Sequence, residues 1–492
     1  MKTAIRIARL ELSTLFYSHI AWFLLIVFLF QRGLSYTEKI DNYLTLQQLG
    51  SPKDLLIYAT NTIFGLPGGL PNGVLSEIIS RLYLYLPLLT MGLMSREISS
   101  GTIKLLYSSP VKINQIIFGK FLSMIVYNFL LILILGVFVI MGCFHIAHAD
   151  VGQLFSGLLG IYLLLCAYAA IGLFMSCLTS YQVVAALSTF VLFALLSYIG
   201  SLWQNIDYAR DVTYALSISG RTTHMIAGLI SSKDVIYFLV VIYIFLGLSM
   251  LRLQSERQSR PILSHILRYS LLIGSAVLIS YGSSRPGLIA YYDATANKTE
   301  TLTPNTQQII KEIGNSPLEV ISYINILDQR FFYGLPSRRN LDQDRWEPYL
   351  RFKPDIRFKY VYYYDSIPDP EIYKRNSGKT LKQIAQDYAQ MHKVDFRDFK
   401  GPEEVGKMAD LKPEQNRYVM QLRFKGKSTF LRLFDDQRAF PSEAETSAAL
   451  KRMTSKLPKI VFLQGEQERS ANKFDTGSYK TLTSDITFRY AL

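Results

Sequence analysis

Apolar runs of about 20 residues, the length that a helix needs to cross a bilayer, recur through the first 284 positions of this 492-residue chain. A soluble protein can bury a large core without such runs, so they exclude a purely soluble enzyme. We predict seven membrane-spanning helices. They cover residues 15–34, 78–95, 117–142, 154–177, 183–203, 235–251 and 266–283.

Charged residues are distributed unevenly along the chain. Residues 1–284 contain 18 of the 52 Lys and Arg and 11 of the 38 Asp and Glu. Residues 285–492 are therefore charge-rich, and we predict that they form a separate globular region. The net charge of +14 divides equally between the two parts, so it does not form one basic surface. Flanking Lys and Arg explain such an excess in a membrane protein, and we expect no nucleic-acid partner.

Lys and Arg near the ends of the spans indicate the orientation of the chain. Eleven lie in one set of connecting segments and five in the other, which predicts a cytoplasmic N-terminus and an extracytoplasmic region 285–492. The first apolar run lacks a cleavage site of small residues, so we predict an uncleaved helix rather than a signal peptide. Residues 1–14 alternate apolar side chains with charged ones such as Glu11, a pattern typical of an interfacial helix that lies on the inner leaflet.

A short amphipathic segment, residues 96–111, follows the second span on the predicted cytoplasmic side. Its apolar side chains belong to no span. A solvated loop and an interfacial helix are two interpretations, and an element that docks into a cytoplasmic partner is the third. The segment contains Arg96, Glu97, Gly101, Thr102, Leu105, Leu106 and Pro110.

Together with Gly119-Lys120, this segment resembles the coupling-helix signature of ABC-2 type transporter permeases. In that family, the element transmits the ATP-driven closure of two ATPase subunits to the membrane helices, so the resemblance implies that the seven residues named above dock an ATPase. A second segment resembles the outer-loop motif of gliding-motility-associated permeases, although Met225 stands where an aromatic residue is usual. This motif contains His224, Gly228, Asp234 and Tyr237.

The ATPase is expected to be a different chain. A P-loop needs a Gly five positions before its Gly-Lys-Ser/Thr, but Gln421 precedes Gly426-Lys427-Ser428 and Tyr373 precedes Gly378-Lys379-Thr380. We therefore expect that this chain is not an enzyme and holds no cofactor, and that ATP and Mg²⁺ bind to the partner. The first sequence lies between two alternating strands and predicts a hairpin turn.

Other polar residues of the membrane region carry weaker signals. His145, His148 and Asp150 have no fourth ligand nearby, so a polar loop is preferred over a metal site. Glu77 and Arg81 are spaced as an ion pair on one helix. No ionisable residue falls near the middle of a predicted span, which argues against a proton- or sodium-driven carrier. Loop 204–234 is predicted either as short outer helices or as an ordinary loop.

Residues 285–492 alternate helical and strand patterns, which predicts a layered α/β domain. The expected helices cover 304–313, 378–392 and 442–453, and the expected strands cover 318–327, 356–364, 418–424, 429–434 and 459–464. The order of elements resembles the outer domain of the gliding-type partner protein, here fused through the seventh span. Relatives continue to a further span, so the chain is either naturally short or truncated. Glu466 and Glu468 are interpreted as a polar loop, with a ligand site as the alternative.

The sequence thus predicts a membrane α-helical protein with a six-span permease unit (15–252), a linker and seventh span (253–284) and a periplasmic α/β domain (285–492). We expect a subunit of an ABC-2 exporter in the bacterial inner membrane. Its expected partners are two ATPase chains, a second permease copy or paralogue, and the lipid bilayer. One alternative is an ATP-driven mechanotransducing complex that acts on an envelope partner. Another is a membrane-anchored periplasmic binding protein.

Overall fold

The computed structural model describes residues 2–49, 59–65, 72–204, 206–257, 261–314, 316–433 and 440–455. The chain forms two compact units, of which the first contains Met1–Trp203 and Asp207–Glu300 and the second contains Gln204–Ile206 and Thr301–Leu492. The division falls at Glu300 rather than at residue 285, because the segment just after the last apolar helix belongs to the first unit.

The helices of the first unit begin where polar side chains interrupt the apolar sequence. Ser18 separates the first two helices, and its Oγ accepts a hydrogen bond from the Ile20 N–H at 3.3 Å. Asp150 caps another helix by accepting a hydrogen bond from the Gln153 N–H at 3.0 Å. The helices are α1 (Lys2–Tyr17), α2 (His19–Gln48), α3 (Ala59–Phe64), α4 (Val74–Thr90), α5 (Gly92–Ser99), α6 (Ile103–Ser108), α7 (Ile113–His145), α8 (Val151–Leu178), α9 (Gln182–Tyr198), α10 (Asp207–Leu216), α11 (Ser219–Ala227), α12 (Ser232–Arg257) and α13 (Ile262–Ser283), with 3₁₀ turns at Ile199–Ser201 and Pro286–Leu288.

Six helical segments of the described chain are long and apolar enough to cross a membrane. They are α2, α7, α8, α12, α13 and the continuous segment Val74–Ser99, which joins α4 and α5. The fifth predicted span corresponds to α9, whose 17 residues lie at the lower limit of a spanning helix. All seven predicted apolar segments are therefore helical, and α1 is a separate helix before the first of them, as expected.

The helix α2 continues far beyond residue 34, the predicted end of the first span. Its buried face includes Arg32, Ser35 and Lys39. Arg32 lies two residues before the predicted end of the first span and is fully buried in α2. Hydropathy ends the span early because it treats every polar side chain as unfavourable in lipid, whereas these side chains face the helix bundle.

The helix α8 forms the centre of the first unit. Its residues 164–173 are all buried, as expected of a helix that is apolar on every side. Gly172 allows close approach to α4, since a Cβ atom there would lie 2.1 Å from Thr90 Oγ1. Tyr168 stacks on Phe193 of α9 with ring centroids 4.1 Å apart. In contrast, most of α13 is exposed, which suits a helix that contacts lipid.

The second unit is built on a four-stranded mixed sheet with the order β4-β3-β5-β6. The central strand β3 is parallel to β4, with Leu318 opposite Ile356, and antiparallel to β5. Lys425 and Gly426 join β5 to β6 with positive φ angles of 45° and 77°, as in a tight hairpin turn. The strands are β3 (Leu318–Asn325), β4 (Ile356–Tyr363), β5 (Val419–Phe424) and β6 (Lys427–Arg432).

Helices surround this sheet, so the predicted α/β class of the region is confirmed. Ser442 begins the last described helix with a reciprocal capping pair to Glu445. The helix α15 was not predicted, and the predicted strand 459–464 lies outside the described residues with Glu466 and Glu468. The helices are α14 (Pro304–Ile313), α15 (Arg339–Leu350), α16 (Pro370–Arg375), α17 (Leu381–Met391), α18 (Pro402–Gly406) and α19 (Glu443–Thr454), with 3₁₀ turns at Phe331–Gly334, Pro336–Arg338, Phe396–Asp398 and Lys412–Glu414.

Candidate functional site

A buried lysine near the start of α7 binds carboxylates from two other helices. Lys120 is 1% exposed, and its Nζ lies 3.0 Å from Glu11 Oε2 of α1 and 2.7 Å from Glu97 Oε1 of α5. Arg96 adds a further contact at 3.4 Å to Glu11 Oε1. These four residues, the Lys120 cluster, contain two cations and two carboxylates. Their charges balance, which is the condition for keeping charged groups inside a protein.

Close packing between α1 and α7 brings Glu11 to Lys120. At Gly119, a Cβ atom would lie 2.8 Å from the Ile7 side chain and 2.9 Å from the Ala4 carbonyl oxygen, so this contact requires glycine. Glu11 is buried, although it is one of the charged residues in the amphipathic pattern of α1. The helical pattern of residues 1–14 does not reveal this, since the partner lies on a distant helix.

The junction between α4 and α5 is held by a serine of the central helix α8. Ser176 Oγ accepts hydrogen bonds from the Met94 and Ser95 N–H groups at 2.8 and 2.9 Å, and it donates to the Met91 carbonyl at 3.0 Å. The sequence prediction missed Ser176. The sequence shows only that a serine lies within an apolar helix. Many such serines form hydrogen bonds within their own helix, so the position does not predict a contact with another helix.

The residues predicted to dock an ATPase form a turn and a short helix beside the Lys120 cluster. Gly101 connects α5 to α6 with a φ of +73°, a conformation that costs other residues about 1–2 kcal/mol. Thr102 is exposed at the start of α6, and Pro110 is exposed beyond its end. Leu105 is 71% exposed, whereas Leu106 is half-buried against the core. The structure thus places Glu97 in a half-buried position, and it places Arg96, Thr102, Leu105 and Pro110 at the surface.

The short helix α6 is also connected to the end of α12. The Tyr107 hydroxyl donates a hydrogen bond to Glu256 Oε2 at 3.4 Å, and Glu256 forms an ion pair with Arg252 at 3.0 Å. The surface that carries Leu105 is therefore linked to four helices, α1, α5, α7 and α12. A displacement of α6 would act on all of them.

The outer-loop motif residues come together at the start of α12. Asp234 Oδ1 lies 3.0 Å from Arg221 Nη1 of α11, and Asp234 Oδ2 lies 3.6 Å from His224 Nδ1. Ser231 Oγ donates a hydrogen bond to Asp234 Oδ2 at 2.8 Å. Asp234 thus joins α11 to the first turn of α12. The described part of loop 204–234 forms the short helices α10 and α11, as one of the two predictions stated, followed by a short strand at Leu229–Ser231.

Tyr237 and Gly228 complete this connection. The Tyr237 hydroxyl donates a hydrogen bond to the Leu216 carbonyl at 2.9 Å, and the Arg221 guanidinium lies 4.0 Å from the centre of the Tyr237 ring. Gly228 ends α11 with a φ of +111°, which glycine adopts without strain. The motif therefore fixes α10 and α11 to α12.

A two-stranded ribbon attaches residues 290–300 to the same end of the helices. β1 (Leu229–Ser231) pairs antiparallel with β2 (Tyr291–Asp293). The Ala294 N–H donates to the Gly228 carbonyl at 2.9 Å, and the Ala296 N–H donates to Asp150 Oδ2 at 2.8 Å. These bonds explain why the segment after α13 belongs to the first unit.

The residues considered as metal ligands have other contacts. His145 Nδ1 lies 2.7 Å from the Met141 carbonyl oxygen and 3.3 Å from the Tyr36 hydroxyl. Asp150 caps α8 and binds Ala296, as described above. Both arrangements are those of a polar loop at a helix end.

The second unit has a polar cleft of about 340 Å³ at the carboxyl ends of its parallel strands. Asp328 and Arg330 follow β3, Asp369 follows β4, and Arg417 precedes β5. This edge of a sheet is where α/β proteins often bind ligands. Asp328 already has a hydrogen-bond partner within the unit, since its Oδ2 accepts a hydrogen bond from the Tyr418 N–H.

Comparison with known families identifies the helical unit. The family model of the ABC-2 family transporter proteins matches residues 5–257, which is more than half of the chain, and the protein therefore belongs to this family. Comparison with curated proteins finds no match. The matched residues include the whole Lys120 cluster, α6 and the outer-loop motif.

Proposed function

We propose that this ABC-2 family protein is the membrane permease subunit of an ATP-driven exporter, and that it docks ATPase subunits through α6. ABC-2 permeases generally act with ABC ATPases in a membrane. The observation that carries the proposal is the position of the exposed Leu105, on a short helix linked to the buried Lys120 cluster. An apolar side chain exposed beside a rigid internal connection suits an element that receives force from a partner.

In this mechanism, ATP and Mg²⁺ bind to the ATPase subunits, whose closure displaces α6. The Lys120 cluster passes the displacement to α1 and α7, and the bond between Tyr107 and Glu256 passes it to α12. Since packed helices favour discrete arrangements over continuous deformation, the spans would move between two packings. This chain contributes the docking surface and the moving helices, and its partner performs the hydrolysis.

The finer features of the assembly follow from the same proposal. Two permease units would pair, either as two copies or as one copy with a paralogue. The N-terminus and α6 would face the cytoplasm of a bacterial cell, and the second unit would lie in the periplasm. The outer-loop motif favours a permease of the gliding-motility type fused to the outer domain of its partner protein.

A second candidate function is mechanical work on an envelope partner without solute transport. The ribbon β1–β2 favours it, because it attaches residues 290–300 to the ends of α8, α11 and α12. The second unit begins directly after this segment, at Thr301. The chain therefore runs directly from this hydrogen-bonded segment into the second unit. Solute flux in proteoliposomes, measured with ATPase and ATP, distinguishes export from mechanical work.

The docking proposal is tested by purifying the tagged full-length chain from native membranes with mild detergent. Wild type should retain an ATPase in stoichiometric amount, as measured by mass spectrometry. Leu105→Asp should lose it, because a charge would replace the apolar contact. Leu49→Asp is the matched control, since Leu49 is 76% exposed just after the far end of α2.

The folding of both variants is checked by size-exclusion chromatography and thermal unfolding. Loss of the ATPase from Leu105→Asp alone, with the fold intact, supports the proposal. An absence of ATPase from the wild-type sample, or equal retention in the two variants, would refute docking through α6. The membrane-anchored binding protein would then be the better interpretation.

A further inference from the structure

A buried arginine of the first unit makes no hydrogen bond within the described part of the chain. Arg32 of α2 is 0% exposed. Its Nε, Nη1 and Nη2 atoms are all buried without a hydrogen-bond partner among the described residues. A guanidinium keeps its charge at any physiological pH, so it cannot reduce the cost of burial by losing a proton.

The surroundings of Arg32 are polar and form one face of α2 against α4. Arg32, Ser35 and Lys39 follow one another at helical spacing on the buried face of α2. Glu77 and Arg81 of α4 lie opposite, and both act electrostatically on Arg32. We call these five residues the Arg32 cluster.

The carboxylate of this cluster is already engaged. Glu77 forms an ion pair with Arg81 on its own helix, as its spacing predicted, and it accepts a hydrogen bond from Ser35 Oγ at 2.7 Å. Lys39 Nζ lies 3.8 Å from Glu77 and 3.2 Å from the exposed Glu38. The described contacts of Glu77 thus go to residues other than Arg32.

The charges of this region do not balance. Arg32, Lys39 and Arg81 supply three positive charges, and Glu77 and Glu38 supply two negative ones. Among the described residues one positive charge remains, and the buried Arg32 is the cation that has no hydrogen-bond partner there, although Glu77 acts on it electrostatically. Burying such a charge is costly unless an anion compensates it, and a charged group within a helix bundle is retained mainly for function.

The position of Arg32 distinguishes it from an arginine that merely reaches toward lipid headgroups. Such a side chain extends along the protein surface and leaves its charged end exposed, whereas Arg32 is enclosed by the bundle. The open side of the cluster is formed by Arg81, which is 46% exposed, and Glu77, which is 17% exposed. An anion would enter past these two residues.

We propose that the Arg32 cluster binds the phosphate group of a phosphodiester or phosphate ester between α2 and α4. The planar guanidinium of Arg32 would bind two phosphate oxygens, for which its geometry is suited. Lys39 would contact a remaining oxygen as a point charge, and Arg81 would supply a second guanidinium. A phosphodiester carries a single negative charge, which equals the excess of the Arg32 cluster and Glu38 taken together. The group is either part of a lipid or part of a soluble phosphate ester. The site is separate from the docking surface on α6, so it does not depend on the proposed function.

The test uses the purified, delipidated full-length chain in neutral detergent. Three probes are added separately: phosphatidylglycerol, inorganic phosphate and a phosphate-free galactolipid. Native mass spectrometry measures lipid binding, and thermal unfolding measures stabilisation by each probe. Wild type should bind a phosphate-bearing probe and show no saturable binding of the galactolipid.

The informative variant is Arg32→Gln, which should weaken phosphate binding about 10- to 100-fold, as expected for lost hydrogen bonds to a charged group. Arg32→Lys keeps the charge but lacks the planar fork, so its affinity should lie between those of wild type and Arg32→Gln. Arg6→Gln, at an exposed position of α1, is the control and should bind as wild type does. Arg32→Gln breaks no hydrogen bond of the described chain, so it should purify as a folded protein.

The probes also distinguish the two sources of the phosphate. Binding of phosphatidylglycerol that inorganic phosphate does not displace supports a lipid headgroup, and stabilisation by inorganic phosphate alone supports a soluble ester. Equal binding by wild type and Arg32→Gln would overturn the proposal. So would stability that rises with protein concentration but not with any anion, because a second copy would then supply the missing carboxylate.

Discussion

The two charged clusters of the first unit lie at opposite ends of the segment Val74–Ser99, and the described chain balances only one of them. At about 1.5 Å per residue, the segment rises about 30 Å from Glu77 to Glu97, the thickness of a bilayer's hydrocarbon core. At one end, Lys120 has two carboxylates within 3.0 Å. At the other end, Arg32 has no hydrogen-bond partner among the described residues.

This difference separates two uses of a buried cation. Lys120 joins three helices through carboxylates of its own chain, so its role is to hold α1, α5 and α7 together. Arg32 contributes no such connection, and its burial is costly unless an anion arrives from outside the described chain. The first arrangement suits the transmission of force, and the second suits the recognition of a ligand.

Breaking the balanced cluster should have the largest effect. Lys120→Met removes the cation of Glu97 and leaves Glu11 with only its contact to Arg96, which should lower the free energy of unfolding by about 3–5 kcal/mol. Thermal unfolding and the yield of monodisperse protein measure this loss. Lys104→Met changes an exposed lysine of α6 and should alter stability by less than about 0.5 kcal/mol.

A triple variant sharpens this prediction. Adding Glu11→Gln and Glu97→Gln to Lys120→Met removes all three buried charges, so much of the lost stability should return. The recovered protein should nevertheless transmit ATPase closure less well, since the ionic connection between α1, α5 and α7 is gone. A triple variant as unstable as the single one would show that shape, rather than charge balance, determines the effect.

The turn beside the Lys120 cluster should show a smaller effect. Gly101→Ala should destabilise the connection between α5 and α6 by about 1–2 kcal/mol, because the positive φ of Gly101 places a Cβ too close to the backbone. No neighbouring atom lies within 4 Å of that Cβ, so the cost is conformational. Hydrogen exchange of residues 96–111 measures it.

The matched control is Gly136→Ala in α7. Gly136 also has no neighbouring atom within 4 Å of its Cβ position, and no positive φ is recorded for it. Alanine favours a helix over glycine by up to about 1 kcal/mol, so this variant should be stabilised. Destabilisation of both variants to the same extent would contradict the role assigned to the Gly101 conformation.

The second unit contains a buried carboxyl group, Asp342, whose charge can be neutralised by protonation. Burial raises the pKa of the Asp342 carboxyl, while the hydrogen bond from the Tyr360 hydroxyl and the nearby Arg345 act in the opposite direction. The folded unit therefore binds this proton more tightly than the unfolded chain. Its contribution to stability is greatest at low pH and falls as the pH rises from the ordinary Asp range to the raised pKa.

We expect the smallest effect from Asp342→Asn. This variant should remove the decrease in the stability of the second unit that accompanies the rise in pH. The chain contains three tryptophans, and Trp22→Phe with Trp203→Phe leaves only the buried Trp346 in the helix of Asp342. Its fluorescence then reports the unfolding of the second unit within the full chain. An unchanged pH dependence in Asp342→Asn would show that other groups control it. Arg32 differs from Asp342 because its guanidinium cannot become neutral by a change of protonation at physiological pH.

The sequence was sufficient to predict the helices but not the contacts between them. Apolar runs located seven helical segments. In the second unit, the alternating strands around Gly426-Lys427-Ser428 located the hairpin, and Thr303-Pro304 located the start of α14. The helix α15 was missed because it is mostly polar and contains Pro348. The end of α2 was missed because its second half carries polar residues that face the bundle rather than lipid.

The candidate sites show the same difference between local patterns, which the sequence reveals, and contacts between distant residues, which it does not. Gly101, Glu97 and Lys120 were found from the spacing of a recognised pattern, and Leu105 was found as an apolar residue without a span. Glu11 and Ser176 were not found, because each acts on a residue far away in the chain. The Arg32 cluster was hidden for a related reason, since only packing of α2 against α4 shows that the charges of the two helices do not cancel.

The central claim is that the described chain balances one buried cation, Lys120, and leaves the other, Arg32, for an anion from outside the described residues. It is tested most directly by the thermal unfolding of Arg32→Met and Lys120→Met, measured side by side in delipidated, phosphate-free detergent. We predict opposite results: Lys120→Met should unfold at a much lower temperature than wild type, and Arg32→Met at the same or a higher temperature. Comparable destabilisation by both variants would mean that Arg32 already has a counter-charge, and it would contradict the claim.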